Sequence, residues 1–166
     1  MVRMEEAMEK RLHGIGGWLQ FFIIALMVLS PLVAFGQTAG EIEMQESNVP
    51  NLLGNPVWQS IKLAIWTFTA IQCGLLFSAG YRLWQDHRWS SVRYTIVILW
   101  IANPLLSFLV IIVISIIGHA DPFAGPQFAE AIGSSLAGVV GATVWTLYLL
   151  RSRRVANTYV KPIAAV

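Results

Sequence analysis

The chain has 166 residues, of which 56% are hydrophobic and only 12% charged, with a formal net charge of +2. A soluble domain is typically about a quarter charged, and a chain this short keeps much of its surface in contact with solvent. Water is therefore excluded as the solvent for most of it. The single cysteine, Cys73, excludes an intrachain disulfide and any Cys-x-x-Cys metal or redox motif.

Residues 1–13, MVRMEEAMEKRLH, place Met4, Met8 and Leu12 at i, i+4 and i+8 among charged neighbours. That is the pattern of a short amphipathic helix, a tail suited to the membrane surface or to docking a partner. Gly14, Gly16 and Gly17 then let the chain turn. The first apolar stretch covers residues 18–35 and contains Ser30-Pro31, where a kink or an early end is expected. Lys10, Arg11, this run and Ala34-Phe35-Gly36 also follow the order of a cleavable signal peptide, although such runs are usually only about 7–15 residues long. Residues 36–56 are rich in Gly, Pro and Asn around Glu41, Glu43 and Glu46, and are expected to form a large outer connection.

The second stretch, residues 57–83, carries Lys62 near its start, with Ala70, Gly74 and Ser78 at spacing four. Lys62, Thr69 and Cys73 fall on nearly one line of a helix, a semi-polar face expected to turn inward. The following connection, RLWQDHRWSSVR, is basic and rich in tryptophan. Between two apolar spans that composition suits anionic headgroups rather than nucleic acid. The third stretch, residues 94–117, holds Asn103-Pro104 near its middle, with Asn103, Ser107 and Ser115 on one stripe. An Asn in hydrocarbon needs a partner, so the stripe should face other helices. Pro104 should kink the helix and free a carbonyl about one turn earlier. The fourth stretch, residues 129–150, repeats Gly133, Ala137 and Gly141, and one position on Ser134, Gly138 and Ala142. Small residues every four positions form a seam for close helix packing, within the bundle or between copies.

A helix needs about 20 mainly apolar residues to cross a hydrocarbon core of about 30 Å. The expected fold is therefore all-α: one integral membrane domain, a bundle of four transmembrane helices, ending in a basic tail over residues 151–166. Lys10, Arg11 and His13, then Arg82, His87, Arg88 and Arg93, then Arg151, Arg153, Arg154 and Lys161 all fall on one side of that topology. The other two connections carry only acidic charge, so both termini are expected to be cytoplasmic. Trp18 and Trp145 with Arg151, Arg153 and Arg154 are the expected interface anchors.

His13, His87 and His119 sit in separate connections, and neither His-Glu-x-x-His, Gly-x-Ser-x-Gly nor a phosphate-binding loop occurs. No catalytic residue, metal or cofactor is expected. Lys62, Asn103 and Glu130 are the candidate binding residues, because polar groups within spans are functional by default. Against that, Lys62 can snorkel outward and Glu130 can serve as a charge at a helix start. Two functions remain open. One is a non-enzymatic packing or interaction module using the seam of Gly133, Ala137, Gly138 and Gly141. The other is a small transporter or channel subunit with an outer-facing polar cavity. The expected partners are the lipid bilayer, its anionic cytoplasmic headgroups, and a second copy or another membrane protein, with no nucleic acid.

Two segments carry a resemblance. Gly14-Ile15-Gly16-Gly17-Trp18-Leu19 opens the first span, and Trp145-x-x-Tyr148, then Arg151-Ser152-Arg153-Arg154-Val155 and Thr158-Tyr159, closes the last. Together they resemble the bacterial family catalogued as domain of unknown function 2569. The resemblance implies a small four-span protein of the bacterial inner membrane that keeps its first span, and it brings no activity and no catalytic residues.

Overall fold

Hydrocarbon offers no partners to a bare backbone, so a spanning segment must satisfy its own N–H and C=O groups, as a helix does. The computed structural model describes the backbone of residues 14–119 and 126–159, and the side chains of 14–119 and 132–159. The expected amphipathic tail and Lys161 lie outside the described residues. Within them there is no strand, and four helices are long and apolar enough to cross a bilayer. These are α1 (Trp18–Asn48), α2 (Pro56–Gln85), α3 (Trp89–Ile117) and α4 (Pro126–Arg151). A short α5 (Arg153–Thr158) follows. No more than 28% of the apolar window of any span is buried by protein. Leu32, Leu63, Ile116 and Val140 all face outward. The chain is a multi-pass membrane protein, with lipid covering what its helices leave bare.

Local chemistry sets the boundaries. Gly17, at φ 57°, makes the left-handed turn that starts α1, a conformation costly for any residue with a Cβ. Asn55 caps α2 by accepting the Val57 N–H at 2.9 Å, and Pro56 occupies the first helical position, where its missing N–H costs nothing. Asp86 ends α2 in an extended conformation and accepts the Ser91 hydroxyl at 3.0 Å, closing the tight turn into α3. Ser152 breaks α4 and caps α5, its side chain accepting from the Val155 N–H.

Two wide π turns mark the prolines. Residues Ala25–Leu29 of α1 precede Pro31, and Ile101–Leu105 of α3 contain Pro104. Widening the turn makes room for a ring that would clash with the carbonyl four residues back. The helix therefore continues through Ser30-Pro31, where the sequence alone points to a kink or an end.

The largest departure from the sequence-based expectation lies after residue 35. Helix α1 runs on to Asn48, so the expected loop is mostly helical and the connection shrinks to a few residues around a 3-10 turn, Pro50–Leu52. With 31 residues it is about 46 Å long at 1.5 Å per residue, longer than the hydrocarbon it crosses. Tertiary contacts hold the extension: Ile42 is buried, and Thr38 meets Thr69 of α2 hydroxyl to hydroxyl at 3.1 Å. Helix α3 likewise begins at Trp89 rather than near residue 94.

The bundle has a basic end, with Arg82, Arg88, Arg93, Arg151, Arg153 and Arg154, and an acidic end, with Glu41, Glu43 and Glu46. The core sits toward the basic end. Leu19, Phe22, Ile23 and Leu26 of α1 meet Leu76, Ala79 and Leu83 of α2, with Val92, Ile98, Leu99 and Ala102 of α3, Ala142 and Leu149 of α4, and Val155 and Tyr159. At Gly80 helices α1 and α2 nearly touch: a Cβ there would lie 2.6 Å from Met27 Cγ and 3.3 Å from the Ile23 carbonyl. Toward the acidic end the helices part. The last half of α3, Leu106–Ile117, buries no residue, and α1 beyond Ser30 buries only Ile42.

Candidate functional site

The parting of the helices leaves two chambers that share Ser30, Leu76 and Asn103. The one nearer the acidic end is a cleft of about 530 Å³ between α1, α2 and α3, lined among others by Gln37, Thr38, Glu41, Gln72, Asn103 and Ser107. The one nearer the basic end is about 210 Å³ and mostly apolar, lined by Phe22, Leu26, Leu99, Gly138, Gly141 and Trp145 among others. From Ser30 to Glu41 the rise along α1 is about 16 Å. Small-molecule sites are concave spaces of about 300–1,000 Å³ with a few placed polar groups; the larger chamber falls in that range.

Asn103 stands where the chambers meet. Its Nδ2 donates to the Leu99 carbonyl at 3.1 Å, and the Ser107 hydroxyl donates to the Asn103 carbonyl at 2.6 Å. Gln72 reaches across from α2 and donates to the Ala102 carbonyl, inside the π turn of α3, at 3.0 Å. Pro104 is expected to free a carbonyl about one turn earlier, and the Asn103 amide donates to one there, that of Leu99. Ser30, Ala34, Gln37, Thr38 and Glu41 follow i, i+4, i+7, i+8 and i+11 along α1. They form one polar stripe aimed at Gln72, Asn103 and Ser107.

Lys62 lies away from this cleft. Its Nζ meets Glu46 Oε1 at 2.7 Å, and the Trp58 indole N–H donates to the same oxygen at 2.9 Å. The triad is partly buried and fastens the extension of α1 to the start of α2. Glu130 falls in the first turns of α4, where the side chains lie outside the described residues. Of the three candidate binding residues, the structure places Asn103 in the cleft and pairs Lys62 with Glu46 outside it.

The small-residue seam divides in two. A Cβ on Gly138 would lie 3.2 Å from Asn103 Cβ and 3.4 Å from the Pro104 nitrogen, so α4 packs there directly on the π turn of α3. Ala142, on the same stripe, is fully buried. A Cβ at Gly133 or Gly141 would meet nothing within 4 Å: Gly133 is exposed, Gly141 borders the smaller chamber, and Ala137 is exposed beside that chamber.

The basic end is closed. Phe22 stacks on Trp145 with ring centroids 4.2 Å apart, and both rings line the smaller chamber. Below it α5 folds back under the bundle. Val155 and Tyr159 are fully buried, and the Tyr159 hydroxyl donates to the Leu83 carbonyl at 2.7 Å. That carbonyl is one of the last four of α2, which have no partner within their own helix. Tyr159 also stacks near His87, at 6.0 Å between rings. Burial pushes its phenol above the ordinary tyrosine range, and Tyr148 adds to the shift. The Thr158 hydroxyl lies 2.7 Å from the Arg154 carbonyl and 3.4 Å from that of Gly14. The Arg154 guanidinium lies over Gly16, where a Cβ would sit 2.5 Å from its Nη1. The two segments that carry the family resemblance are thus one contact surface. Among the expected interface anchors, Trp18, Arg151 and Arg153 point outward, whereas Trp145 and Arg154 are turned into the fold.

Among the described residues no group of three or more His, Cys, Asp or Glu side chains comes together to hold a metal. Sequence reasoning misses Gln37, Thr38, Glu41 and Gln72. The signal is present in the stripe from Ser30 to Glu41, which is visible only once α1 is carried past Gly36. Among known proteins, the family described as "Protein of unknown function (DUF2569)" matches residues 12–160. No curated protein and no solved structure matches the chain.

Proposed function

The chain belongs to the DUF2569 family, and from that premise we propose a non-enzymatic membrane protein that binds a small solute in the polar cleft between α1, α2 and α3, in the manner of a transporter or channel subunit. One observation carries this reading. Gln37, Thr38, Glu41, Gln72, Asn103 and Ser107, supplied by three helices, line one chamber, with Glu41 exposed at its acidic end. Polar groups inside a span are costly, and they are kept where they line a cavity or pathway. The protein's place in this reading is the bacterial inner membrane with both termini in the cytoplasm. The collection of arginines at the Tyr159 end and of glutamates at the Glu41 end supports that orientation.

The test is water access. In a Cys73→Ser background, a membrane-impermeant maleimide added outside intact cells should label Ser107→Cys in the cleft. It should leave Leu109→Cys, which faces lipid, unmodified. An unlabelled Ser107→Cys would mean that no outer aqueous chamber exists, and the reading would fail.

A second reading is supported by a separate observation. Gly133 faces open space and Ala137 is exposed, so part of the α4 ridge is left for a second copy or another membrane protein. Gly133→Leu should then lower oligomer content in mild detergent without lowering the yield of folded monomer. An unchanged oligomer profile would remove this option.

A further inference from the structure

The chemistry of the cleft restricts what it takes. Gln72 and Asn103 each spend an amide N–H on a backbone carbonyl, and a carbonyl can only accept, so the orientation of both amides is chemically determined. Their side-chain oxygens are left for the chamber. The Ser107 hydroxyl spends its proton on the Asn103 carbonyl and keeps its lone pairs. Glu41 makes no ion pair or hydrogen bond among the described residues, and Lys62 is held by Glu46. A second N–H remains on each amide. However, among the described residues no Lys, Arg or His lines either chamber, and the Glu41 carboxylate is the one acidic side chain that does. Charge therefore sets the sign of the ligand. Below the polar groups, the smaller chamber presents Phe22, Leu26, Leu99 and Trp145.

From this arrangement we infer that the cleft binds a primary ammonium carried on a short apolar tail. The head donates to the oxygens of Gln72 and Asn103 beneath Glu41, and the tail lies in the apolar chamber against Phe22 and Trp145. An ammonium has three donors and no acceptor, matching the oxygens left over. Hydrogen bonds with a charged partner are about twice as strong as neutral ones. The inference rests on the reading of the cleft as a binding chamber and adds the ligand class.

Three probes with one tail test it: 4-phenylbutylamine, 4-phenylbutanol and 4-phenylbutyrate. Each is measured by equilibrium dialysis against the protein in phosphatidylcholine nanodiscs, with empty discs subtracted. The amine should saturate, the alcohol should bind about tenfold more weakly, and the carboxylate should not exceed empty discs. Glu41→Gln should weaken the amine about tenfold and leave the alcohol unchanged. Gly141→Leu, which fills open space in the apolar chamber, should weaken amine and alcohol alike. Because Glu41 is exposed at the mouth, its variant keeps the test valid even if Gly141→Leu fails to fold. Equal binding of amine and alcohol, no amine binding above empty discs, or an unchanged amine affinity in Glu41→Gln would overturn the inference. Discs containing phosphatidylethanolamine separate two sources of the same group: competition assigns the ammonium to a lipid headgroup, and undiminished binding assigns it to a free amine. If Ser107→Cys is labelled and the amine does not bind, the ligand class alone is wrong. If Ser107→Cys is unlabelled, the chamber itself is lost.

Discussion

Gly74 and Gly80 lie on the same helix, and one added methyl group has opposite consequences at the two. At Gly80 it would meet Met27, Leu26 and the Ile23 carbonyl, while at Gly74 it would meet nothing within 4 Å. Gly80→Ala is therefore expected to cost about 1–3 kcal/mol, the usual range for overpacking a tight contact. Gly74→Ala should be neutral or stabilise by up to about 1 kcal/mol through helix propensity. Unfolding of the purified protein by a denaturing detergent measures both, and equal effects would remove the close crossing of α1 and α2. Lys62 is a second case at this scale. As a polar residue in an apolar run it stands out, yet its partner does not, because Glu46 lies in a stretch that reads as loop. Lys62→Met and Glu46→Gln should each lower stability, and the double variant should cost no more than the worse single one. Strict additivity in that cycle would mean the two groups act independently.

The spans themselves are legible in the sequence, because hydrocarbon leaves a transmembrane segment little choice but length and apolarity. The continuation of α1 is not. Gly36 and Gly40 are poor helix formers, and Gln, Thr and Glu interrupt the hydropathy. What holds residues 36–48 in a helix is contact with α2 through Thr69, Trp58 and Lys62, which no local pattern reports. The polar cleft is hidden for the same reason, since Gln37, Thr38 and Glu41 of its wall belong to that continuation. The seam on α4 is legible as a pattern but not as a direction: the same spacing puts Gly138 against Asn103 and Pro104 and leaves Gly133 in the open. Gly138→Leu is therefore expected to destabilise the bundle by about 3 kcal/mol or more, and Gly133→Leu to leave monomer stability unchanged, as read by thermal unfolding in detergent. The reverse order would show that α4 is rotated relative to this packing. Gln72→Met should cost about 0.5–1.5 kcal/mol, the range of interhelical hydrogen bonds in membrane bundles, by withdrawing the donor from the π turn of α3.

At the scale of the whole molecule, the acidic end is splayed and the basic end is locked, and the lock depends on Tyr159. Tyr159→Phe removes the donor to the Leu83 carbonyl and should cost about 1 kcal/mol. Burial raises the pKa of this phenol, so the folded state holds its proton more tightly than the unfolded chain does. The resulting stabilisation is complete below about pH 10, the unperturbed tyrosine value, and is lost as pH rises beyond it. Wild type should therefore lose stability more steeply than Tyr159→Phe in strongly alkaline buffer, and parallel curves would show that the hydroxyl is not titrating in place. The lock also joins distant parts of the chain, for the contact between Thr158 and Gly14 spans 144 positions. A ribosome delivers Gly14 long before Thr158. Each helix can enter the bilayer as it emerges, but the turn ahead of Trp18 waits for the final helix to arrive. Maturation of the basic end is thus a late event, completed only when Thr158 swings beneath the turn at Gly14.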